Sequence, residues 1–191
     1  MPDPVVTHVI GTMALVGAAV LMLAAFSFVQ QVSYMDSVNL MLAEAAESAA
    51  RSIVEIVSVY TLGGAGVSYM TPPLPETLAG QPYLLYLSGG GDNVLNVTAR
   101  LQIYRQVRVV VMPNFGRYPV RAVKGTVPRE RFQGRLQFDV SDTLLLPVPP
   151  GYTPAIVVFR SRDEECRHPS FDPVEWKAIC VALAAIPSGR F

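Results

Sequence analysis

The chain has 191 residues, a formal net charge of zero, 51% hydrophobic residues and only 16% charged residues. This length gives room for one domain of ordinary size plus an appended segment. The neutral balance argues against nucleic acid as a partner, because phosphate binding needs a clustered positive field. The apolar excess lies at the N-terminus, which suggests that part of the chain associates with a membrane.

The first predicted element is an apolar helix over residues 5–29. No Lys, Arg, Asp or Glu occurs between Asp3 and Asp36. A helix over this run would be about 38 Å long, enough to cross a hydrocarbon core of about 30 Å. The lack of a basic residue ahead of the run argues against a cleaved secretory signal and removes the usual cue to orientation. The cysteines and the β-rich remainder favour a head outside the cell.

The same helix is expected to continue as an amphipathic segment over residues 36–60, which contains no Pro or Gly. A polar stripe and an apolar stripe recur there at helical spacing, and Gly63-Gly64 supply a stop. We therefore predict one helix of about 55 residues within 1–62, whose second half packs on the following domain. The polar stripe is Glu44, Glu47, Arg51 and Glu55, and the apolar stripe is Leu42, Ala46, Ala49, Ile53 and Val57.

Small side chains are frequent in the apolar half of this helix. In an apolar medium, helices associate largely through the close approach that small residues allow. Gly is also common in any membrane-spanning helix, so specific helix packing and ordinary membrane composition are both open. The candidate packing residues are Gly11, Ala14, Gly17, Ala18 and Ala25.

Residues 63–82 are expected to form a linker that is rich in Pro from residue 71 onward, and residues 83–191 a β-rich head. Short segments of alternating polarity, separated by Gly and Pro, are typical of a β-sandwich or an open barrel. The pattern in Asp172–Glu175 is typical of a helix start and predicts a short C-terminal helix, with a strand over residues 178–186 as the alternative. The predicted fold class is α+β, a long N-terminal hydrophobic helix followed by a sandwich-like head.

Three stretches carry the strand predictions for the head. "PYLLYLSGGGDNVLNVTARLQIYRQVRVVVMP" predicts a strand, a turn at residues 89–93 and a long returning strand or pair of strands. "GRLQFDVS" places Leu136, Phe138 and Val140 on one face of a strand. "TPAIVVFRS" predicts a further short apolar strand.

The two cysteines, Cys166 and Cys180, are predicted to form a disulfide, because an even count fits an exported chain. The alternative is a metal site that also uses His168, but it lacks a fourth ligand and the paired spacing of zinc sites. Asn96 begins the triplet Asn-Val-Thr, an acceptor pattern for N-glycosylation that matters only if the head lies outside the cytoplasm.

Arginines concentrate between residues 100 and 135, with aromatic residues among them, as a single-strand binding face would need. Their spacing is irregular, however, and Pro residues interrupt the stretch. We therefore interpret these side chains as the solvent face of strands rather than as a polyanion site. The arginines concerned are Arg100, Arg105, Arg108, Arg117, Arg121, Arg129, Arg131 and Arg135.

A catalytic constellation is hard to find in the sequence. His8 lies in the apolar segment and His168 lies beside Pro169, and neither has a Ser or Cys partner in a recognisable motif. The stretch "GGGDN" lacks the Lys and the strand-to-helix context of a phosphate loop and predicts a hairpin turn instead. The chain is therefore predicted to be a non-enzyme with no cofactor and no metal.

The predicted architecture, with the helix over residues 5–60 and the strand entry "PPLPETLAGQPYLLYLSGGGDNVLNV", resembles archaeal type IV pilin-like proteins. This group includes pilins, archaellins and anchored archaellum-stator-like components. Its cleaved members carry a short basic leader that this sequence lacks. We therefore expect either that a leader has been removed or that the protein is an uncleaved relative.

The resemblance implies a structural subunit of a surface filament. Its partner would be itself, through N-terminal helices that pack as the filament core after leaving the membrane, with β heads outside. The alternative is an uncleaved, membrane-anchored module, similar to archaellum-stator components, whose head binds a surface-layer protein or another envelope component.

Overall fold

A continuous α-helix, α1 (Pro4–Gly63), forms the first third of the chain in the computed structural model of this protein. The predicted long helix is therefore confirmed. By internal contacts the chain divides into two units, Met1–Val38 and Asn39–Phe191. The structure describes residues 4–63, 66–89, 94–103, 108–115, 119–163, 165–167, 169–170 and 178–188.

The second half of α1 is amphipathic in the predicted way. Every residue of the predicted apolar stripe, from Leu42 to Val57, is buried, and the four residues of the polar stripe are exposed. On the polar stripe, Arg51 pairs with Glu47 one turn earlier, with Nη2 and Oε2 3.1 Å apart. Burial of the apolar stripe makes this half of the helix part of the core of the second unit.

The larger of two sheets in the described residues, here called the large sheet, has seven strands in the order β1-β9-β11-β7-β6, with β10 beside β9 and β5 beside β11. All its pairs are antiparallel except β5 with β11, which is parallel. Its strands are β1 (Val67–Met70), β5 (Val120–Ala122), β6 (Thr126–Val127), β7 (Val140–Ser141), β9 (Tyr152–Ser161), β10 (Pro169–Ser170) and β11 (Ala178–Pro187).

The second sheet, here called the small sheet, has four antiparallel strands in the order β4-β3-β2-β8. Buried and more accessible residues alternate along β2 and β3, so this sheet has one core face and one outer face. Its strands are β2 (Tyr83–Gly89), β3 (Leu95–Leu101), β4 (Arg108–Val111) and β8 (Thr143–Leu146). The predicted succession of strands over residues 82–113 is thus confirmed, while residues 90–93 of the predicted turn lie outside the described residues.

Strands β9 and β11 are the centre of the large sheet and pair over ten residues. Both are buried through most of their length, as expected for strands covered on both faces. One face meets a cluster that contains Val157, Phe159 and Cys180. There the rings of Phe132 and Phe159 meet edge to face, with centres 5.1 Å apart. Because side chains alternate along a strand, Arg160 points to the opposite face of β9.

The predicted C-terminal helix is wrong and its alternative, a strand over residues 178–186, is confirmed, because residues 178–187 form strand β11. The sequence "AICVALAAI" is apolar throughout. Such a run has no periodicity by which a buried strand could be distinguished from a buried helix. Pairing with β9 on one edge and with β5 and β7 on the other satisfies much of its backbone, and nearly all of its residues are buried. Residues 172–175, which carry the expected helix start, lie outside the described residues.

The stretch from residue 134 to 141 is a strand only at its end, β7. It follows a 3-10 helix, Arg129–Phe132, and a turn in which Gln133 and Gly134 have positive φ. Leu136 and Val140 are nevertheless buried in the same cluster, with Phe138 packed against it. Farther upstream, strand β1 lies inside the range predicted as a linker and pairs with β9.

Candidate functional site

The first half of α1 presents large apolar side chains that are exposed in this structure. Ile10, Leu21 and Phe28 keep 63%, 72% and 68% of their surface accessible. Among the described residues, one helix is long and apolar enough to cross a membrane. It lies within residues 8–63, and an 18-residue window of it has a mean hydropathy of 2.4 and no burial. This surface is compatible with membrane anchoring or with a signal sequence.

The predicted packing residues share one side of this helix. At 3.6 residues per turn, Gly11, Ala14, Ala18 and Ala25 fall within an arc of roughly 60°, and Gly17 lies on its flank. All five are exposed, and a Cβ added at either glycine would meet no atom within 4 Å. Because these five side chains are small, the backbone of a second helix has room to approach this side of α1 closely.

The one threonine hydroxyl described in this apolar half is satisfied within the helix itself. Thr12 Oγ1 donates to the carbonyl oxygen of His8 at 2.6 Å and also lies 3.2 Å from that of Val9. A hydroxyl that bonds to its own helix needs no water or partner, so it suits a helix surrounded by apolar groups. His8, one of the two histidines, is exposed on the same helix.

The end of α1 is held in the second unit by Tyr60, which sequence reasoning did not single out. Its side chain is fully buried, and its hydroxyl donates to the carbonyl oxygen of Gly66 at 2.9 Å. The guanidinium carbon of Arg160 lies 5.5 Å from the centre of the Tyr60 ring. Burial raises the pKa of Tyr60, and the nearby positive charges of Arg160 and Arg135 oppose that rise.

A second buried tyrosine fixes the entry to the small sheet. Tyr83 begins β2 and is fully buried, and its hydroxyl donates to the carbonyl oxygen of Pro75 at 2.8 Å. Burial raises the pKa of Tyr83. Nearby, Ser48 of α1 donates to the carbonyl oxygen of Pro73 at 3.1 Å. These bonds tie the Pro-rich segment to both the helix and the sheet.

The predicted disulfide between Cys166 and Cys180 is confirmed, with Cα atoms 5.5 Å apart. It ties the loop after β9 to strand β11, and both residues are buried. Because the two sulfurs are bonded to each other, they are not available as thiolate ligands, and the alternative metal site is wrong. His168, its third proposed ligand, lies outside the described residues.

The arginine-rich stretch is divided among several surfaces. Arg100 and Arg108 lie on the outer face of the small sheet, whereas Arg129 and Arg131 are exposed residues of the 3-10 helix. Arg105 and Arg117 lie outside the described residues. Asn96, the candidate glycosylation site, is on the outer face of β3, and its Oδ1 is buried without a hydrogen-bond partner.

Comparison of the chain with protein-family models, with curated proteins and with solved structures gave no match.

Proposed function

We propose that this protein is a structural subunit of a surface filament of the archaeal type IV pilus kind. Its N-terminal helices pack together as the filament core, and its β heads lie outside. The observation that carries the proposal is the exposed apolar half of α1, continuous with a half that is built into the head. We call the first half of α1, up to Val38, the stem; its surface is unsuited to water.

The physical gain from assembly comes from covering this surface. Burial of apolar area stabilises by about 25 cal/mol per Å² relative to water, and the stem exposes large side chains around its whole circumference. Helices that leave the lipid must therefore be covered by other helices. The small-residue side of the stem permits the closest approach.

The disulfide supports a head outside the cytoplasm, since disulfides persist in oxidising compartments. Cell-surface location and a glycan on Asn96 are part of the proposal. The second candidate is an uncleaved anchor whose stem remains in the bilayer while the head binds an envelope component. It is favoured by the same stem, which is long and apolar enough to cross a membrane.

Substitution within the stem tests the packing interface. Ala18→Leu places a bulky side chain on the small-residue side, whereas Ala19→Leu makes the same change about 100° around the helix. We expect Ala18→Leu to reduce filaments per cell at least about tenfold and Ala19→Leu to leave assembly near wild type. Electron microscopy of sheared cells counts the filaments.

A non-reducing gel of the same samples shows whether the Cys166–Cys180 disulfide has formed and serves as the control for a folded head. Normal filaments from both Ala18→Leu and a matching Gly11→Leu variant would contradict packing through this side of the stem.

A further inference from the structure

The outer face of the small sheet carries two arginines directly opposite each other. In the antiparallel register Arg100 of β3 pairs with Arg108 of β4, so their Cβ atoms lie about 5 Å apart. None of the described strand residues in this sheet is acidic. Like charges in such a cross-strand pair repel and destabilise a sheet, and a bound anion would remove that repulsion.

The rest of this outer face carries hydroxyl, amide, aromatic and aliphatic side chains, the aliphatic ones being Leu84, Val110 and Leu145. Tyr86 lies opposite Thr98, and Ser88 lies opposite Asn96. Tyr86 keeps 37% of its surface accessible, and it is diagonal to Arg100 in the β2–β3 pair, within reach of long side chains. The face thus combines one aromatic ring, several hydrogen-bonding groups and two cations.

A cleft of about 540 Å³ adjoins this face, and Tyr86 and Ser88 form part of its wall. Its carboxylates are already engaged by the protein. Asp142 accepts from the backbone N–H of Gly125 at 3.2 Å, and Glu165 pairs with Lys124 at 3.4 Å and with Arg167 at 2.8 Å. The lining also carries Arg121 and Lys124, so two cations balance its two carboxylates and the cleft does not offset the positive charge of the outer face.

We propose that the outer face of the small sheet, with this cleft, binds an acidic polysaccharide. Arg100 and Arg108 hold a carboxylate or sulfate group by charge-assisted hydrogen bonds, and a sugar ring lies on Tyr86. In the chain without a glycan on Asn96, the hydroxyls of Ser88 and Thr98 bond to sugar hydroxyls. Single-stranded nucleic acid fits less well, because its platforms stack successive bases on several aromatic side chains, and the described residues of this face supply one.

Binding is measured with the full chain in non-ionic detergent micelles, produced without N-glycosylation because a glycan on Asn96 would lie on the same face. The probes are a polyuronate (alginate), neutral dextran and an oligothymidylate. We expect alginate to bind, to weaken as salt rises, and to bind more tightly than either other probe. Arg100→Gln with Arg108→Gln should weaken alginate binding about tenfold or more.

The matched control is Arg129→Gln with Arg131→Gln, which removes the same charge from the 3-10 helix and should change affinity less than about twofold. Thermal unfolding gives a second readout, because Arg100→Gln with Arg108→Gln should raise Tm without ligand while alginate binding falls. Equal loss of binding in both double variants, no alginate binding by the wild type, or tighter binding of the oligothymidylate would each overturn the proposal.

Discussion

At the scale of single residues, Tyr60 holds the end of α1 in the second unit. Its ring contacts the guanidinium of Arg160 on β9, and its hydroxyl donates to the carbonyl oxygen of Gly66. Tyr60→Phe keeps the ring but leaves a buried carbonyl without its donor, which costs about 1–3 kcal/mol. Denaturant unfolding should show that loss, whereas Tyr152→Phe, at an exposed ring, should stay within about 0.5 kcal/mol. Equal stability of the two variants would contradict this role.

The buried tyrosines also predict a pH dependence. Burial raises the pKa of both Tyr60 and Tyr83 in the folded protein, so the unfolded chain loses these protons first as pH rises. The stability that neutral tyrosines contribute is therefore complete below about pH 10, the unfolded value, and is lost as pH rises above it.

Denaturant midpoints measured at pH 8 and pH 11 check this dependence. The wild type should lose stability over this interval, and Tyr83→Phe should lose less because it cannot ionise. An identical alkaline loss in wild type and in Tyr83→Phe would show that other groups, such as the lysines, cause it.

At the scale of elements, the disulfide and strand β11 stabilise each other. The bridge closes a loop with a sequence separation of 14, and in the chain-entropy model a loop of this size contributes about 3 kcal/mol. Cys180 is also part of the core cluster on β11. We expect Cys166→Ser with Cys180→Ser to lower the free energy of unfolding by about 2–5 kcal/mol. A loss below about 1 kcal/mol would contradict this contribution.

The elements differ in how far the sequence alone could predict them. The long helix was predictable because its apolar and polar stripes keep helical spacing up to Val57. Strand β11 could be predicted only as the alternative to a helix, because an unbroken apolar run has no period and its pairing with β9 is known only from the fold. That Arg100 and Arg108 lie opposite each other depends on the register of β3 and β4. The sequence between them contains no turn motif that fixes this register.

At the scale of the whole molecule, the sequence shows a surface that must be covered but not what covers it. The apolar segment was readable because no charge interrupts it between Asp3 and Asp36. The contacts of Tyr60 could not be predicted from the sequence, because its partners, Gly66 and Arg160, are brought together only by the pairing of strands. Covering by lipid or by other copies of the stem satisfies the same hydrophobic requirement.

The location of the chain in cells distinguishes most directly between a stem covered by lipid and a stem covered by other copies of itself. Native cells are sheared gently, the released material is pelleted, and the chain is located by electron microscopy and peptide mass spectrometry. Packing of stems predicts that the chain is the main component of thin filaments in the sheared fraction. A chain that stays with the membrane and is extracted only by detergent would contradict the filament and identify α1 as an anchor.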